Sequence, residues 1–189
     1  ASQSGTAAAM AQRSVELLGG QADFQILPLN KVDNEVLSYT RQALFVVSTY
    51  GEGEPPDNGV AFATRYLKGT GATDLIDLSH LQFSVLALGD KLYQQFCAFG
   101  HNVHQGLSQL GAIPLFEPLE ACASQGFDSE SLLQQLAQQW RQQTPQHTPQ
   151  QISQQVFRQD TAQTALSPKS TDVASVISAK ARDFAQWRL

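Results

Sequence analysis

The stretch that decides the fold is Ala43-Leu-Phe-Val-Val-Ser-Thr-Tyr-Gly-Glu-Gly-Glu-Pro-Pro-Asp-Asn58. Its first residues form an apolar run that is typical of a strand buried on both faces in a parallel sheet. The rest is a loop, rich in glycine and proline, that leaves this strand at its carboxyl end. Ligands of open parallel sheets bind beyond those ends, so this loop is the first candidate for a binding site.

Apolar runs at residues 24–27, 83–88 and 113–116 predict three further strands. Helices are predicted to alternate with the strands, at residues 7–18, 59–67, 98–110 and 129–140. This order predicts an α/β fold in which a doubly wound parallel sheet forms the middle of a three-layer sandwich.

The loop Ser2-Gln-Ser-Gly-Thr6 leads directly into the first helix, with no strand before it. Such a loop normally follows a strand, and the first strand of a doubly wound sheet is central. We therefore expect that the chain is a piece of a longer polypeptide and that the first strand of the sheet is missing from it.

The predicted domain covers residues 1–142. Residues 143–170 are rich in Gln, Pro, Ser and Thr, and this composition predicts a linker because it cannot bury a core. Apolar residues recur at helical spacing in residues 171–189, which predicts an amphipathic helix. That helix either packs on the domain or opens a following one.

Composition excludes several classes of partner. The net charge is −5 and only 15% of residues are charged, so nucleic acid is not expected, whereas a mildly acidic surface suits a basic protein. No apolar stretch is long enough to cross a bilayer, although a membrane anchor ahead of Ala1 stays open. Cys97 and Cys122 have neither C-x-x-C spacing nor a disulfide-framework pattern, which favours a cytoplasmic or cytoplasm-facing location.

The first loop has the residues of a phosphate site. Hydroxyl groups at Ser2, Ser4 and Thr6, with the backbone around Gly5, meet at a helix start, where unpaired N–H groups and the helix dipole favour an anion. An ordinary Ser/Thr helix cap explains the same residues, so this loop alone does not decide the function.

The second loop, which follows Ser48, has the residues of a ring site. Gly51 and Gly53 allow a close backbone approach, and an exposed Tyr50 is suited to stack on a flat ring. Pro56 stands where a dinucleotide fingerprint needs its third glycine, so we reject that interpretation.

The third loop, Leu88-Gly-Asp-Lys-Leu-Tyr-Gln-Gln-Phe96, again places a glycine turn and a tyrosine, Tyr93, beyond a strand end. Carboxyl ends of parallel strands meet at one edge of the sheet, so the three loops predict a single site. We expect a phosphate at the first loop and a planar ring between Tyr50 and Tyr93.

Together the loops resemble the FMN-binding, flavodoxin-like domain of diflavin reductases, the family of NADPH–cytochrome P450 reductase and the sulfite reductase flavoprotein subunit. The matching strings are Ser2-Gln-Ser-Gly-Thr-Ala7, Ser48-Thr-Tyr-Gly-Glu-Gly-Glu-Pro-Pro-Asp-Asn58, and Leu88-Gly-Asp-Lys-Leu-Tyr93 continuing to Phe96-Cys97. They span roughly the first three-quarters of the chain, and Phe96-Cys97 leans towards the sulfite reductase type.

The resemblance implies that FMN is the cofactor and that no side chain acts as a catalytic acid, base or nucleophile. The residues implied to hold the FMN phosphate are Ser2, Gln3, Ser4, Gly5 and Thr6. Tyr50 and Tyr93 would flank the ring, with the backbone around Gly51 facing flavin N5. The remaining contacts implied in the second and third loops are Ser48, Thr49, Glu52, Gly53, Leu88, Gly89, Asp90 and Phe96.

The resemblance also implies a one-electron relay within an NADPH-dependent oxidoreductase, from an FAD domain to a haem or iron–sulfur acceptor. Residues 171–189 would then begin the FAD- and NADPH-binding module. An acidic rim is expected to disfavour a negatively charged reduced flavin, and it comprises Glu52, Glu54, Asp57 and Asp90. The alternative is a free-standing flavodoxin-type carrier, which should end near Trp140.

Two further groups of residues carry weaker signals. Glu117 and Glu120 follow the predicted last strand, but they are sparser than the acidic residues of the family there, so a tuning role is not expected. Cys97, His101 and His104 fall on one helical face but lack a fourth ligand, so we do not expect a metal site.

Overall fold

Two long parallel strands, β1 (Gln42–Ser48) and β2 (Gln82–Gly89), form the centre of the fold. In the computed structural model they pair from Gln42 opposite Gln82 to Ser48 opposite Leu88. Their middle residues are buried, as expected for apolar strands that are covered on both faces. These two strands confirm the central prediction from the sequence.

The structure describes residues 1–18, 24–67, 76–126 and 128–143. The predicted linker lies outside these ranges except for Gln143, and the predicted helix at residues 171–189 lies wholly outside them. Within the described ranges the helices are α1 (Thr6–Leu18), α2 (Asn34–Tyr39), α3 (Val60–Tyr66), α4 (Ala98–Gln109) and α5 (Ser129–Gln143).

Two short strands, β3 (Ile113–Pro114) and β4 (Leu119–Cys122), pair in parallel with the edge of β2 that faces away from β1. The offset between partners is 31 residues at Ile113 and Gln82 (113 − 82) but 33 residues at Leu119 and Leu86 (119 − 86). Four residues, 115–118, therefore lie opposite two residues of β2.

The predicted strand at residues 113–116 is therefore wrong in extent. Leu115 N–H still donates to Phe83 O at 2.8 Å, but beyond Leu115 the chain leaves the regular pairing, and Pro118, just before β4, has no N–H group to donate. It pairs again from Leu119, in a strand that the sequence did not predict.

The predicted strand at residues 24–27 is also wrong. This segment makes no ladder with any other described strand, and Ile26 and Leu27 are 41% and 37% exposed. An apolar run becomes a strand only where a neighbour accepts its backbone hydrogen bonds, and among the described residues no strand lies beside this run.

Helices cover both faces of the sheet. On one face α1 and α5 pack against side chains of β1, β2 and β4, including Val46, Leu86 and Ala121. On the other face α3 and α4 pack against Phe45 and Phe83. This arrangement confirms the predicted three-layer α/β fold, and it leaves the carboxyl ends of β1, β2 and β4 free to carry loops.

Candidate functional site

A cleft of about 490 Å³ lies beyond the carboxyl ends of β1, β2 and β4, and we call it the site cleft. All three predicted loops reach it. Its lining residues are Gln3, Ser4, Thr6, Ser48, Thr49, Tyr50, Gly51, Pro56, Leu88, Gly89, Asp90, Tyr93, Gln95, Ala121 and Ala123. The loops are far apart in sequence, so the sheet topology is what brings them together.

Eleven of the predicted site residues line this cleft, namely Gln3, Ser4, Thr6, Ser48, Thr49, Tyr50, Gly51, Leu88, Gly89, Asp90 and Tyr93. Five others stand outside its lining: Ser2, Gly5, Glu52, Gly53 and Phe96. Four of these five still shape the loops, because Gly5 and Gly53 have positive φ, Ser2 caps a helix, and Phe96 packs on the core, whereas Glu52 is exposed. The part that any of the sixteen plays in binding stays a prediction.

The first loop leads into α1, and its hydroxyl groups have two different surroundings. Ser2 Oγ accepts a hydrogen bond from Ala7 N–H at 3.0 Å and thereby caps the helix. Ser4 Oγ and Thr6 Oγ1 are exposed and lie 2.8 Å apart. Gly5 takes φ = 81°, a left-handed conformation that favours glycine. The hydroxyls of Ser4 and Thr6 therefore face the cleft at the positive end of a 13-residue helix.

The second loop is closed by its own backbone. Glu54 N–H and Gly53 N–H donate to Tyr50 O at 2.8 and 3.2 Å, and Tyr50 N–H donates to Glu54 O at 2.9 Å. Gly51 and Gly53 have φ values of 51° and 111°. The turn holds Tyr50 at the cleft with 54% of its surface exposed, so its ring is accessible to a ligand in the cleft.

Thr49 ties the second loop to its neighbours. Its N–H donates to Leu88 O at 2.9 Å, and its Oγ1 accepts from Phe99 N–H at 3.1 Å near the start of α4. The second and third loops therefore hold a fixed spacing, and this spacing sets the width of the site cleft.

The third loop turns at Gly89 and Asp90. A Cβ atom on Gly89 would lie 2.8 Å from Cys97 N and 3.0 Å from Cys97 Sγ, so only glycine fits there. The Ser124 hydroxyl and the Leu92 N–H donate to the Asp90 carboxylate, and these hydrogen bonds hold the pKa of Asp90 below its usual value. Tyr93 projects from this turn with 52% of its surface exposed.

Four lining residues were missed from the sequence: Pro56, Gln95, Ala121 and Ala123. Ala121 lies on β4 and Ala123 just after it, so they reach the cleft only because β4 pairs with the end of β2. The same pairing lets Cys122 Sγ accept a hydrogen bond from Lys91 N–H at 3.3 Å, which ties the third loop to β4. For Pro56, the only indication in the sequence was its position in the second loop.

The lining of the site cleft does not include the residues that the sequence singled out less strongly, which are Cys97, His101, His104, Glu117 and Glu120. Glu120 Oε1 contacts His101 Nε2 at 2.8 Å. Cys97 is fully buried, and burial raises the pKa of its thiol to about 12. In the described part of the chain, no cluster of three or more His, Cys, Asp and Glu side chains is arranged to hold a metal ion. No described helix is long and apolar enough to span a bilayer.

Comparison with known proteins agrees with this geometry. A family profile described as flavodoxin matches residues 1–140. The chain is 42% identical over 113 residues to the sulfite reductase [NADPH] flavoprotein alpha-component of Bacillus subtilis, an alignment that covers 58% of this chain and 18% of that protein. It is 41% identical over 96 residues to the NADPH–cytochrome P450 reductase of Cavia porcellus, covering 51% of this chain and 12% of that one.

Among solved structures, oxidised flavodoxin 2 from Bacillus cereus superposes with a TM-score of 0.64 at 21% identity, covering 76% of this chain and 95% of the flavodoxin. A cysteine-to-serine mutant of flavodoxin from Pseudomonas aeruginosa superposes with a TM-score of 0.59 at 27% identity, covering 71% and 91%. The chain spans only 18% to 23% of the length of the first curated relatives, whereas it spans nearly the whole length of these two flavodoxins.

Proposed function

The chain belongs to the flavodoxin family, whose cofactor is FMN, and we propose that its site cleft holds FMN as a one-electron relay within an NADPH-dependent diflavin reductase. The observation that carries the proposal is the meeting of two exposed tyrosines, a helix start and a glycine turn in one cleft. FMN would supply the electron-transfer chemistry, and the protein would supply binding, orientation and electrostatics. The proposed domain covers residues 1–142.

The residues present in the cleft fit FMN at both of its ends. Tyr50 and Tyr93 offer aromatic faces to a flat ring, and Leu88 and Ala121 add apolar surface beside them. Gly89 leaves no side chain in the way of the ring edge. At the other end, the hydroxyls of Ser4 and Thr6 and the start of α1 suit a phosphate, although this loop has no Lys or Arg.

The acidic rim supports both the proposed electrostatics and the proposed partner. Glu52, Glu54 and Asp57 are exposed on the second loop, and Asp90 lies on the third. Their negative potential disfavours additional negative charge on the ring, and it attracts a basic protein surface. We therefore propose that the electron acceptor presents a basic face to this rim.

Identity values favour the reductase role over a free-standing carrier. The reductase proteins reach 36% to 42% identity, whereas the two flavodoxins described above reach 21% and 27%. The near-complete coverage of the flavodoxins is the observation that supports the second candidate. Within a reductase, an FAD- and NADPH-binding module on the same polypeptide would deliver the electrons. Both described cysteines are free, in keeping with a cytoplasmic or cytoplasm-facing location.

The proposal is tested by titrating FMN, FAD and riboflavin into the purified 189-residue chain while flavin fluorescence is recorded. We expect one FMN per chain and at least about ten-fold weaker binding of riboflavin, which lacks the phosphate that the start of α1 would hold. Equal affinity for riboflavin and FMN would contradict the phosphate assignment. A chain that binds no flavin would contradict the whole proposal.

The ring assignment is tested with Tyr93→Asp and its matched control Tyr93→Phe. Asp removes the aromatic face and adds a negative charge, so FMN affinity should fall by at least about ten-fold. Phe keeps the aromatic face, so this variant should bind FMN within about two-fold of the unchanged chain.

To separate the two candidate functions, the FMN-loaded chain is mixed with the NADPH-reduced FAD module of a sulfite reductase flavoprotein. Rapid reduction of its flavin supports the reductase role, and an inert mixture favours the free-standing carrier.

A further inference from the structure

Three side chains at the end of β4 hold the third loop from outside, and we call them the β4 clip: Cys122, Ser124 and Gln125. Cys122 Sγ accepts a hydrogen bond from Lys91 N–H at 3.3 Å, and Gln125 Oε1 accepts one from Lys91 Nζ at 3.1 Å. The Ser124 hydroxyl donates to the Asp90 carboxylate. The clip therefore bonds to two consecutive residues of the third loop.

The hydrogen bonds of the clip form a chain with one consistent direction. Cys122 Sγ and Ser124 Oγ lie 3.3 Å apart. A hydroxyl group has a single hydrogen to donate, and Ser124 donates it to Asp90, so the Cys122 thiol is the donor to Ser124 Oγ. The chain thus runs from Lys91 N–H through the thiol and the hydroxyl to the carboxylate of Asp90. Because hydrogen bonds in such a chain strengthen one another, the loss of one member weakens the rest.

The clip bonds to the turn that carries Tyr93. Leu92 N–H donates to Asp90 Oδ1 at 2.9 Å, and Tyr93 N–H donates to Asp90 O at 3.1 Å, so residues 90–93 form one closed turn. Leu92 is 82% exposed and Tyr93 is 52% exposed, so burial in the core does not fix this turn. The position of Tyr93 therefore depends on the hydrogen bonds at Asp90 and Lys91.

The clip itself is anchored in the sheet. Cys122 stands opposite Gly89 in the ladder between β4 and β2, and its side chain is buried. Its neighbours Ala121 and Ala123 line the site cleft. The same short segment thus supplies one wall of the cleft and the bonds that hold the turn beside it.

We propose that Cys122 and Ser124 are positioning residues of the flavin site, which hold Tyr93 in place beside the ring through their hydrogen bonds to Lys91 and Asp90. The inference rests on the proposed function, and it adds a fourth segment of the chain to the three loops. Neither side chain needs to touch the flavin. Because FMN and riboflavin share the same ring, the clip supports the binding of both, whereas the first loop favours only the flavin with a phosphate.

The first test compares Cys122→Ala with Cys122→Ser in the full 189-residue chain. The two variants differ by one hydroxyl, which can accept from Lys91 N–H and donate to Ser124 as the thiol does. Cys122→Ala should weaken the binding of FMN and of riboflavin by about five-fold each, and Cys122→Ser should stay within about two-fold of the unchanged chain. Equal affinities in the two variants would overturn the proposal. A loss for FMN alone would also overturn it, because the effect would then lie at the phosphate.

Ser124→Ala removes the next member of the chain, and Ser79→Ala is its matched control. Ser79 Oγ donates to Asp77 Oδ2 at 3.2 Å, so the control also loses a hydrogen bond from serine to aspartate, but ahead of β2 at the end opposite the cleft. Ser124→Ala should weaken FMN binding by about five-fold, and Ser79→Ala should leave it within about two-fold. Equal effects of the two variants would contradict a specific role of the clip.

A double-mutant cycle tests whether the clip acts through Tyr93. Once Tyr93→Ala has removed the ring that the clip positions, adding Cys122→Ala should change FMN affinity by less than about two-fold. A further five-fold loss in the double variant would mean that the two effects are additive, and it would overturn the proposed route through Tyr93.

Amide hydrogen exchange of the flavin-free chains separates this proposal from the proposed function. Exchange at Lys91 N–H should be at least about five-fold faster in Cys122→Ala than in Cys122→Ser, because only alanine leaves this amide without its acceptor. If the unchanged chain binds FMN but neither its affinity nor the Lys91 exchange responds to these changes, the clip proposal alone fails. If the unchanged chain binds no flavin, the proposed function fails, and the positioning role fails with it.

Discussion

The site cleft and the edge of β1 that faces away from β2 differ in how their backbone hydrogen-bonding groups are satisfied. At the cleft, the second loop closes on itself through Tyr50, Gly53 and Glu54, and Thr49 ties it to β2 and α4. Along that edge of β1, the only backbone hydrogen bonds from a described residue are those of Ala1, to Val46 O and from Ser48 N–H. Turns can thus complete their own hydrogen bonds locally, whereas the edge of a buried strand needs a neighbour.

The largest effect is expected where the cleft is most closely packed. In Gly89→Ala the new Cβ meets Cys97 N at 2.8 Å, so the third loop must move. We expect a loss of about 2 to 3 kcal/mol in the free energy of unfolding and a large loss of FMN affinity. Urea unfolding and FMN titration measure the two effects.

Gly126→Ala is the control for this change, because its Cβ would have open space although φ is positive. It should cost about 1 kcal/mol and leave FMN binding unchanged. If both variants lost stability and FMN affinity to the same extent, close packing at Gly89 would not determine the shape of the site cleft.

At the edge of β1 that faces away from β2, the Ala1 ammonium should make the stability of the chain depend on pH. Burial lowers the pKa of the Ala1 ammonium from 8.0 to about 6, whereas the unfolded chain keeps the higher value. Between pH 6 and pH 8 the unfolded chain binds more protons than the folded one, so stability rises with pH in this window. The expected gain is about 2 kcal/mol, complete above about pH 8 and absent below about pH 6.

An N-terminally acetylated chain is the comparison for the pH experiment, because it has no ammonium to titrate. Urea unfolding at half-unit steps of pH should give a shallower rise for the acetylated chain over this window. Parallel curves for the two chains would mean that the Ala1 amine beside β1 is well hydrated.

The smallest effects are expected at the first loop, which borders both regions. Ser2→Ala removes the acceptor for Ala7 N–H and should cost about 1 kcal/mol of stability. Ser4→Ala alters an exposed hydroxyl at the cleft and should leave stability within about 0.5 kcal/mol while weakening FMN binding several-fold. Thermal unfolding and FMN titration of the pair separate the helix cap from the phosphate contact. If Ser4→Ala lowered stability and Ser2→Ala weakened FMN binding, Ser4 would be the helix cap and Ser2 the phosphate contact.

The sequence predicted β1 and β2 well, because both are continuous apolar runs that pair with each other over their full length. It failed at residues 24–27, since periodicity identifies a run that is able to pair but not whether a partner stands beside it. It also missed β4, a four-residue strand that contains Glu120 and follows Pro118. Short strands of mixed polarity are defined by the neighbouring strand rather than by their own residues.

The candidate site was predictable to a similar degree and for similar reasons. Loops that follow strands β1 and β2 had to meet at one edge, so Tyr50, Gly89 and Tyr93 could be expected together. Ala121 and Ala123 could not, because their position depends on β4. Side-chain direction within a loop was also beyond the sequence. Gly53 and Glu52 belong to the second loop, yet the turn places both outside the lining of the cleft.

The shift of pairing between β3 and β4 has a consequence for how sequences of this kind can vary in length. The four residues opposite two of β2 amount to two extra residues, an even number that leaves the alternation of side chains unchanged. Ala121 therefore faces the α1 and α5 layer together with Leu88, and Glu120 does not. An odd number of extra residues would exchange their sides and bury a carboxylate among apolar side chains. Insertions and deletions between Pro114 and Leu119 should consequently be tolerated in steps of two.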